Sequence, residues 1–309
     1  MKSLALLFCA VLGLTVRAAD LPPINTPASA EHFPGKFIWA DLFTGDQDAA
    51  QKFYTGLFGW TASPIDRTSA EQGEHSYIVL YNGDRPVAGI ALRPHRLKDE
   101  SRGHWVGYVS VDDVPKALAA ATAAGGSVIF PSKNLPQRGS QAIFLDGEGA
   151  MLGVMHSSSG DPAEYRPDPG DWTWAELFAR NTAAASQYYQ AVLGYDAMPD
   201  LNPGRDNAIV FASGGYSRAS LHPLPPRPNA RPAWLLFVRV ESVKDTVSKV
   251  EGLGGRVLVS PKEIHGKSWL AIIADPVGAA IGIVELEDPD SPVNPTPPVN
   301  PAPPAKEQP

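Results

Sequence analysis

Cysteine is almost missing from this chain: Cys9 is the only one in 309 residues, and it sits in an apolar stretch near the N-terminus. The rest of the sequence therefore has no disulfide, no thiolate metal ligand and no cysteine nucleophile. Charge is also scarce, at 19% of residues, and its balance is acidic, with a formal net charge of -7. No Lys/Arg cluster is present to neutralise a row of phosphates, which argues against nucleic acid as a partner. The apolar run Leu4 to Leu14 is shorter than the roughly 20 residues a membrane span requires. Nucleotide, zinc-protease and serine-hydrolase fingerprints are lacking in the right context. Gly252-Leu253-Gly254-Gly255 closes a helical pattern instead of opening one, so it caps and does not cradle phosphate. With 28 glycines and 31 prolines, long-helix and coiled-coil classes are disfavoured too.

Hydrophobic residues make up 43% of the chain, enough to bury a core, and the length suggests two domains. Lys2, the apolar run and the small residues around Ala18 predict a signal peptide over residues 1–19 and hence an exported protein, periplasmic or secreted. A buried first helix or lipoprotein processing at Cys9 are the alternatives, the latter opposed by the bulky Leu6-Leu7-Phe8 before it. Residues 288–309 are dense in proline and read as a disordered, extended tail, a spacer or a docking peptide.

An internal repeat organises what lies between. At an offset of 135, Trp39, Ala40, Leu42, Phe43, Ala49, Ala50, Tyr54 and Gly59 coincide with Trp174, Ala175, Leu177, Phe178, Ala184, Ala185, Tyr189 and Gly194, and Asp41 stands opposite Glu176. At an offset of 129, Trp105 matches Trp234, Gly125-Gly126 matches Gly254-Gly255, and Asp146, Gly149, Ala150 and Gly153 match Asp275, Gly278, Ala279 and Gly282. The chain is a tandem duplication. Its halves, 33–157 and 171–287, are joined by a polar linker at 158–170.

Each half shows a second level of order. Phe37 to Phe43 reads as a strand, and Asp46 caps a helix whose apolar stripe is Ala49, Ala50, Phe53, Tyr54 and Leu57, stopped at Gly59. Short β-rich runs follow at Tyr77 to Tyr81 and Pro86 to Leu92. The cycle restarts with a strand from Trp105, an Ala-rich helix ending at Gly125-Gly126, and three further strands, so each half is two β-α-β-β-β units.

Paired units of this kind, with Phe53-Tyr54 before Leu57-Phe58-Gly59-Trp60 and the closing run Asp275-Pro276-Val277-Gly278-Ala279, resemble the vicinal oxygen chelate (VOC) superfamily. That superfamily includes glyoxalase I, bleomycin-resistance proteins, fosfomycin-resistance enzymes and extradiol ring-cleaving dioxygenases. The resemblance covers both halves and is greatest to two-domain bacterial glyoxalase-like proteins. It implies an α+β fold of tandem VOC domains, each a sheet curved around a cup, where enzyme members hold a divalent metal through His and Glu. Carried over position by position, those ligands fall on Trp39, near Val106 and on Gly153 in the first half, and on Trp174, near Leu235 and on Gly282 in the second. Indole, aliphatic and glycine positions do not bind such cations. The resemblance thus implies a binding protein without the usual metal.

Alternation on the first strand puts Phe37, Trp39, Asp41 and Phe43 on one face, and Ile38, Ala40 and Leu42 on the other, against the helices. Trp172, Trp174, Glu176 and Phe178 are the corresponding set. An inward carboxylate beside indoles would serve as a general base or a cation-binding group, or would pair with an Arg or a backbone amide. The ligand-pocket candidates are Trp39, Asp41, Tyr108, Trp174, Glu176, Phe237 and Arg239, expected to hold a small, partly aromatic or cationic molecule in two cups. No cofactor is expected in that reading. The alternative is a metal-dependent lyase or dioxygenase using other ligands, drawn from His95, His222, Asp41 and Glu176.

Overall fold

The computed structural model describes residues 21–65, 77–92, 103–201, 207–227, 230–264 and 268–287. The expected signal peptide with Cys9, the Pro-rich tail and His95 lie outside the described residues. The first half contains β1 (Phe37–Thr44), α1 (Gln47–Phe58), β2 (Thr61–Ile65), β3 (Tyr77–Asn82), β4 (Arg85–Leu92), β5 (His104–Ser110), α2 (Val114–Ala123), β6 (Ser127–Leu135), β7 (Gly139–Leu145) and β8 (Met151–Ser157). The second half repeats the order with β9 (Trp172–Ala179), α3 (Thr182–Leu193), β10 (Asp196–Pro199), β11 (Ile209–Ser213), β12 (Tyr216–Pro223), β13 (Ala233–Arg239), α4 (Val243–Val250), β14 (Arg256–Glu263), β15 (Trp269–Ala274) and β16 (Ala280–Glu285).

Local chemistry sets these boundaries. The carboxylate of Asp46 accepts from the Ala49 amide at the start of α1, and Gly59, at φ 72°, takes the left-handed conformation that ends it. Asn181 and Gly194 do the same for α3. Asp113 and Ser242 cap α2 and α4.

Each half folds into one eight-stranded sheet, in the orders β2-β3-β4-β1-β5-β8-β7-β6 and β10-β11-β12-β9-β13-β16-β15-β14. The two units of a half meet through antiparallel β1 and β5, or β9 and β13, while β1/β4 and β5/β8 run parallel. This is the tandem α+β arrangement that the repeat predicts.

The helices lie between the two sheets, α1 against α4 and α2 against α3. They enclose one continuous apolar core that includes Leu42, Phe53 and Tyr54 of one half with Leu177, Tyr189 and Trp234 of the other. A pair of related hydrogen-bond chains crosses it. The Trp105 indole donates to the Tyr54 hydroxyl (2.8 Å), which donates to Asp275 Oδ2 of the other half (3.2 Å). Trp234, Tyr189 and Asp146 repeat the chain at 2.9 Å for each bond. The second oxygen of each aspartate receives amides of its own turn, from Glu148 and Ala150 or from Val277 and Ala279. The repeated Asp, Gly and Ala block is thus a closing turn that also ties the halves together.

The opposite, concave face of each sheet forms a cup. Trp39, Phe43, Tyr77, Val106 and Tyr108 point into the first, and Trp174, Phe178, Leu235 and Phe237 into the second. At the start of β1 the alternation shifts. A bulge between Phe37 and Trp39 turns Phe37 toward the central core, where its ring meets Trp234, and sends Ile38 into the cup. The matching bulge on β9 turns Trp172 onto Trp105 and Trp60. Simple alternation therefore assigns Phe37, Ile38 and Trp172 to the wrong faces, because an extra residue reverses the pleat.

Candidate functional site

In the first cup, Trp39, Asp41 and Tyr108 come together as the sequence suggests, but as a sealed cluster. Asp41 Oδ1 accepts from the Trp39 indole at 2.8 Å and from the Tyr77 hydroxyl at 2.5 Å, and Tyr108 is buried in the same cluster. Burial pushes the Tyr77 and Tyr108 phenols well up, with the Asp41 charge adding to the effect, so both stay protonated as donors. The guanidinium of Arg138 stacks over the Trp39 ring at 4.2 Å. Leu21 and Ile24, which precede β1, fill the remaining space, and Trp39 is only 3% exposed. In this structure tyrosines and the chain's own N-terminal segment occupy the first of the two cups.

The second cup differs at the positions that close the first. Strand register places Ala208 where the first half has Tyr77, Phe237 for Tyr108, Ser220 for Gly89 and His222 for Ala91. Both phenol hydroxyls are gone, and a hydroxyl and an imidazole have been added on β12. The Trp174 indole donates to Ser220 Oγ at 3.0 Å, His222 Nε2 lies 2.9 Å from the same oxygen, and His222 Nε2 stands 3.7 Å from Glu176 Oε1. The Phe178 ring tilts against His222 at 5.7 Å. Trp174, Phe178 and His222 are half-buried, and Glu176 is buried below them. A carboxylate, an imidazole and a hydroxyl on an aromatic wall can accept a cation or a hydrogen-bond donor from a small molecule, and can hold or move a proton.

Of the other candidates, Phe237 lines this cup, while Arg239 reaches the linker and donates to the Pro167 carbonyl. Sequence reasoning named His222 only as a ligand of the metal-dependent alternative and missed Ser220. The one available signal was the strand register that puts both beside Glu176 and Phe178.

The described residues of neither cup fit the family's metal. Gly153 and Gly282, where the closing-strand ligand would stand, lie directly under the rings of Tyr108 and Phe237, so a side chain there would enter the ring. In the second cup Glu176 and His222 supply two donors, and among the described residues no group of three or more His, Cys, Asp or Glu side chains converges. A first-row cation takes about four ligands, at least three of them from protein.

A cavity of about 430 Å³ lies between the halves under the linker, with Trp39 and Trp174 among the residues that line it. Its charged groups are committed to the chain itself. Lys36 donates to the Pro162 and Ala163 carbonyls and pairs with Glu164, Arg218 pairs with Glu164 at 2.6 Å, and Arg85 pairs with Asp171. Burial draws the Lys36 ammonium below its ordinary range, against the pull of Glu164. This cavity seats the linker, whose Ser159 and Asp161 are buried and not solvated. No helix among the described residues is long and apolar enough to cross a membrane.

Comparison with known proteins agrees with this architecture. Residues 36–154 match the model of the Glyoxalase/Bleomycin resistance protein/Dioxygenase superfamily. The anthracycline biosynthesis protein DnrV of Streptomyces peucetius is 30% identical over 266 residues, covering 82% of this chain and 94% of that one. CFP32 of Mycobacterium tuberculosis, which carries a provisional glyoxylase name, is 27% identical over 260 residues, 84% and 98% of the two chains. The Mn(II)-bound glyoxalase from Novosphingobium aromaticivorans superposes with a TM-score of 0.56 at 15% identity, over 82% of each chain.

Proposed function

The chain belongs to the glyoxalase, bleomycin-resistance and dioxygenase superfamily, and on that footing we propose that it is an exported protein that binds a small, partly aromatic or cationic molecule in its second cup, without the family's metal. One observation carries the reading: the second cup presents half-buried Trp174, Phe178 and His222 above buried Glu176, whereas the equivalent first-half wall is sealed. Indole and phenyl faces attract cations and flat rings, worth about 0.5–2 kcal/mol for each contact. Glu176 supplies the countercharge, with Ser220 and His222 as polar partners that fix orientation.

Export rests on the Lys2, Leu4 to Leu14 and Ala18 pattern. N-terminal sequencing of envelope or culture-medium protein should begin at Ala19 or Asp20; an intact Met1 there would contradict it. Binding is tested by tryptophan fluorescence with phenethylamine as probe. Saturable quenching is expected at one site per chain, unchanged after chelation and weakened at least tenfold in Trp174→Ala and Glu176→Gln. Elemental analysis of the same sample should find less than about one metal per ten chains, since fewer than three protein ligands do not retain a cation through chelation. Stoichiometric metal that survives chelation and is lost in His222→Ala would replace this reading with the metal-dependent one.

A further inference from the structure

The segment that fills the first cup is held at several points. The Asn25 side-chain amide donates to the Asp161 carbonyl and the Asn25 backbone amide to Ser159 Oγ. The Ser29 amide donates to the Ser159 carbonyl, the Asp161 amide to the Glu31 carbonyl, and the Phe33 amide to Asp161 Oδ2 at 2.6 Å. These bonds fix residues 25–33 on the linker. The part ahead of them, Leu21 to Ile24, reaches into the cup with its two aliphatic side chains 5% and 2% exposed. Inside the cup its one polar attachment among the described residues is the Pro22 carbonyl, which accepts from Arg138 Nε at 2.9 Å.

Arg138 is the unexplained group. It is 1% exposed, and its Nη2 is buried with no hydrogen-bond partner. Leaving a charged donor unsatisfied in a dry site is costly, and the great majority of such groups are paired. Nε and Nη2 form one edge of the guanidinium, and that edge matches the two oxygens of a carboxylate in a bidentate pair. The Pro22 carbonyl offers a single oxygen and fills half of the edge. Asp41 does not complete it: among the described residues neither a hydrogen bond nor an ion pair joins it to Arg138, and its Oδ1 accepts from Trp39 and Tyr77.

We propose that the first cup is a binding site for a small apolar carboxylate anchored on the Arg138 edge, and that Leu21 to Ile24 form a displaceable strap occupying the ligand's place. The strap's aliphatic side chains stand where the ligand's apolar body sits, and the Pro22 carbonyl stands for one carboxylate oxygen. Residues 25–33 keep the strap tethered when the ligand displaces it. The proposal concerns a different cup from the one assigned above, and the two are read separately through Arg138 and Trp174.

The test uses the full chain and phenylacetate as probe. In Leu21→Lys/Ile24→Lys the strap is driven out of the cup while its tether is kept, and lysine offers no acceptor to the Arg138 edge. Calorimetry should find one phenylacetate per chain, bound at least tenfold more tightly than in wild type. Adding Arg138→Met should abolish that binding and leave phenethylamine quenching in the second cup unchanged. A synthetic peptide of residues 20–29 should compete with phenylacetate. Absence of binding in a cooperatively unfolding double variant, or binding indifferent to Arg138→Met, overturns the proposal. If the double variant does not fold, Cys9→Ser/Ile24→Cys decides: saturating phenylacetate should speed thiol labelling at position 24 at least tenfold, and an unchanged rate overturns the proposal.

Discussion

Tyr54 and Tyr189 each carry one hydroxyl that both accepts from a buried indole and donates to an aspartate of the other half. Removing it leaves a tryptophan N–H and a carboxylate oxygen without those partners inside the core. Tyr54→Phe and Tyr189→Phe should each cost about 1–3 kcal/mol by urea unfolding, with little change in fold. Asp275, the acceptor of the first chain, has its carboxyl raised by burial, against the hydrogen bonds it receives from Ala279, Tyr54, Val277 and Gly278. A folded-state pKa above the unfolded one means the native chain holds the proton more tightly, so this group's contribution to stability is full in acid and is lost as pH rises through the folded value. Asn cannot titrate. The stability gap between wild type and Asp275→Asn should therefore widen as pH falls from 7 toward 4, measured as the difference in urea midpoints at constant ionic strength. A narrowing gap would contradict the sign. The repeat made Asp146 and Asp275 visible as equivalent residues, but a match in sequence does not show that each reaches across to the other copy's tyrosine.

Among elements, strands and helices were legible wherever period and cap agree, as in β1 and α1 with Asp46 and Gly59. They were less so where tertiary context decides. The short strand β2, TASPI, carries Pro64 at an exposed sheet edge and shows no alternation to read. The bulges on β1 and β9 reverse the faces of Phe37 and Trp172 without any local signature. The strap Leu21 to Ile24 has two prolines and no period, so nothing in its own sequence announces that a cup will receive it. The closing strands β8 and β16 carry a sharper lesson. Gly153 and Gly282 are where the resemblance to the family would place a metal ligand, yet the neighbouring strand of the same sheet lays an aromatic ring over each. Restoring a carboxylate at this position should fail to restore a site, because the ring already occupies the volume. Gly282→Glu is expected to destabilise by at least about 1–3 kcal/mol through overpacking against Phe237. It should retain no Mn or Zn after chelation, with circular dichroism melting and elemental analysis as the measurements.

At the scale of the whole molecule, the duplication suggests two independent bodies, and the packing makes them one. Each sheet turns its helix face inward, and the residues that cover it come from both halves: Leu42, Phe53 and Tyr54 share a cluster with Leu177, Tyr189 and Trp234. The α1–α4 and α2–α3 contacts and both Trp–Tyr–Asp chains cross the same boundary. A half released on its own would expose that apolar face to water and lose the acceptor of its buried tyrosine. At roughly 25 cal/mol per Å² of apolar area the loss would quickly exceed the 5–15 kcal/mol margin of a typical domain. The full chain should consequently unfold in a single cooperative transition, with fluorescence and far-UV dichroism coincident and calorimetric and van't Hoff enthalpies equal. Expressed alone, residues 33–157 or 171–287 should melt without cooperativity or pair into a dimer that rebuilds the two-sheet core. A monomeric half with a sharp melt, or two resolved transitions in the full chain, would show that the cups are supported by separate cores. The coupling also bears on function, because both cups are built on one core and share its stability. Loosening the central core through Tyr54→Phe should then weaken phenethylamine binding in the second cup only when the whole molecule begins to unfold, and not in proportion to the lost stability.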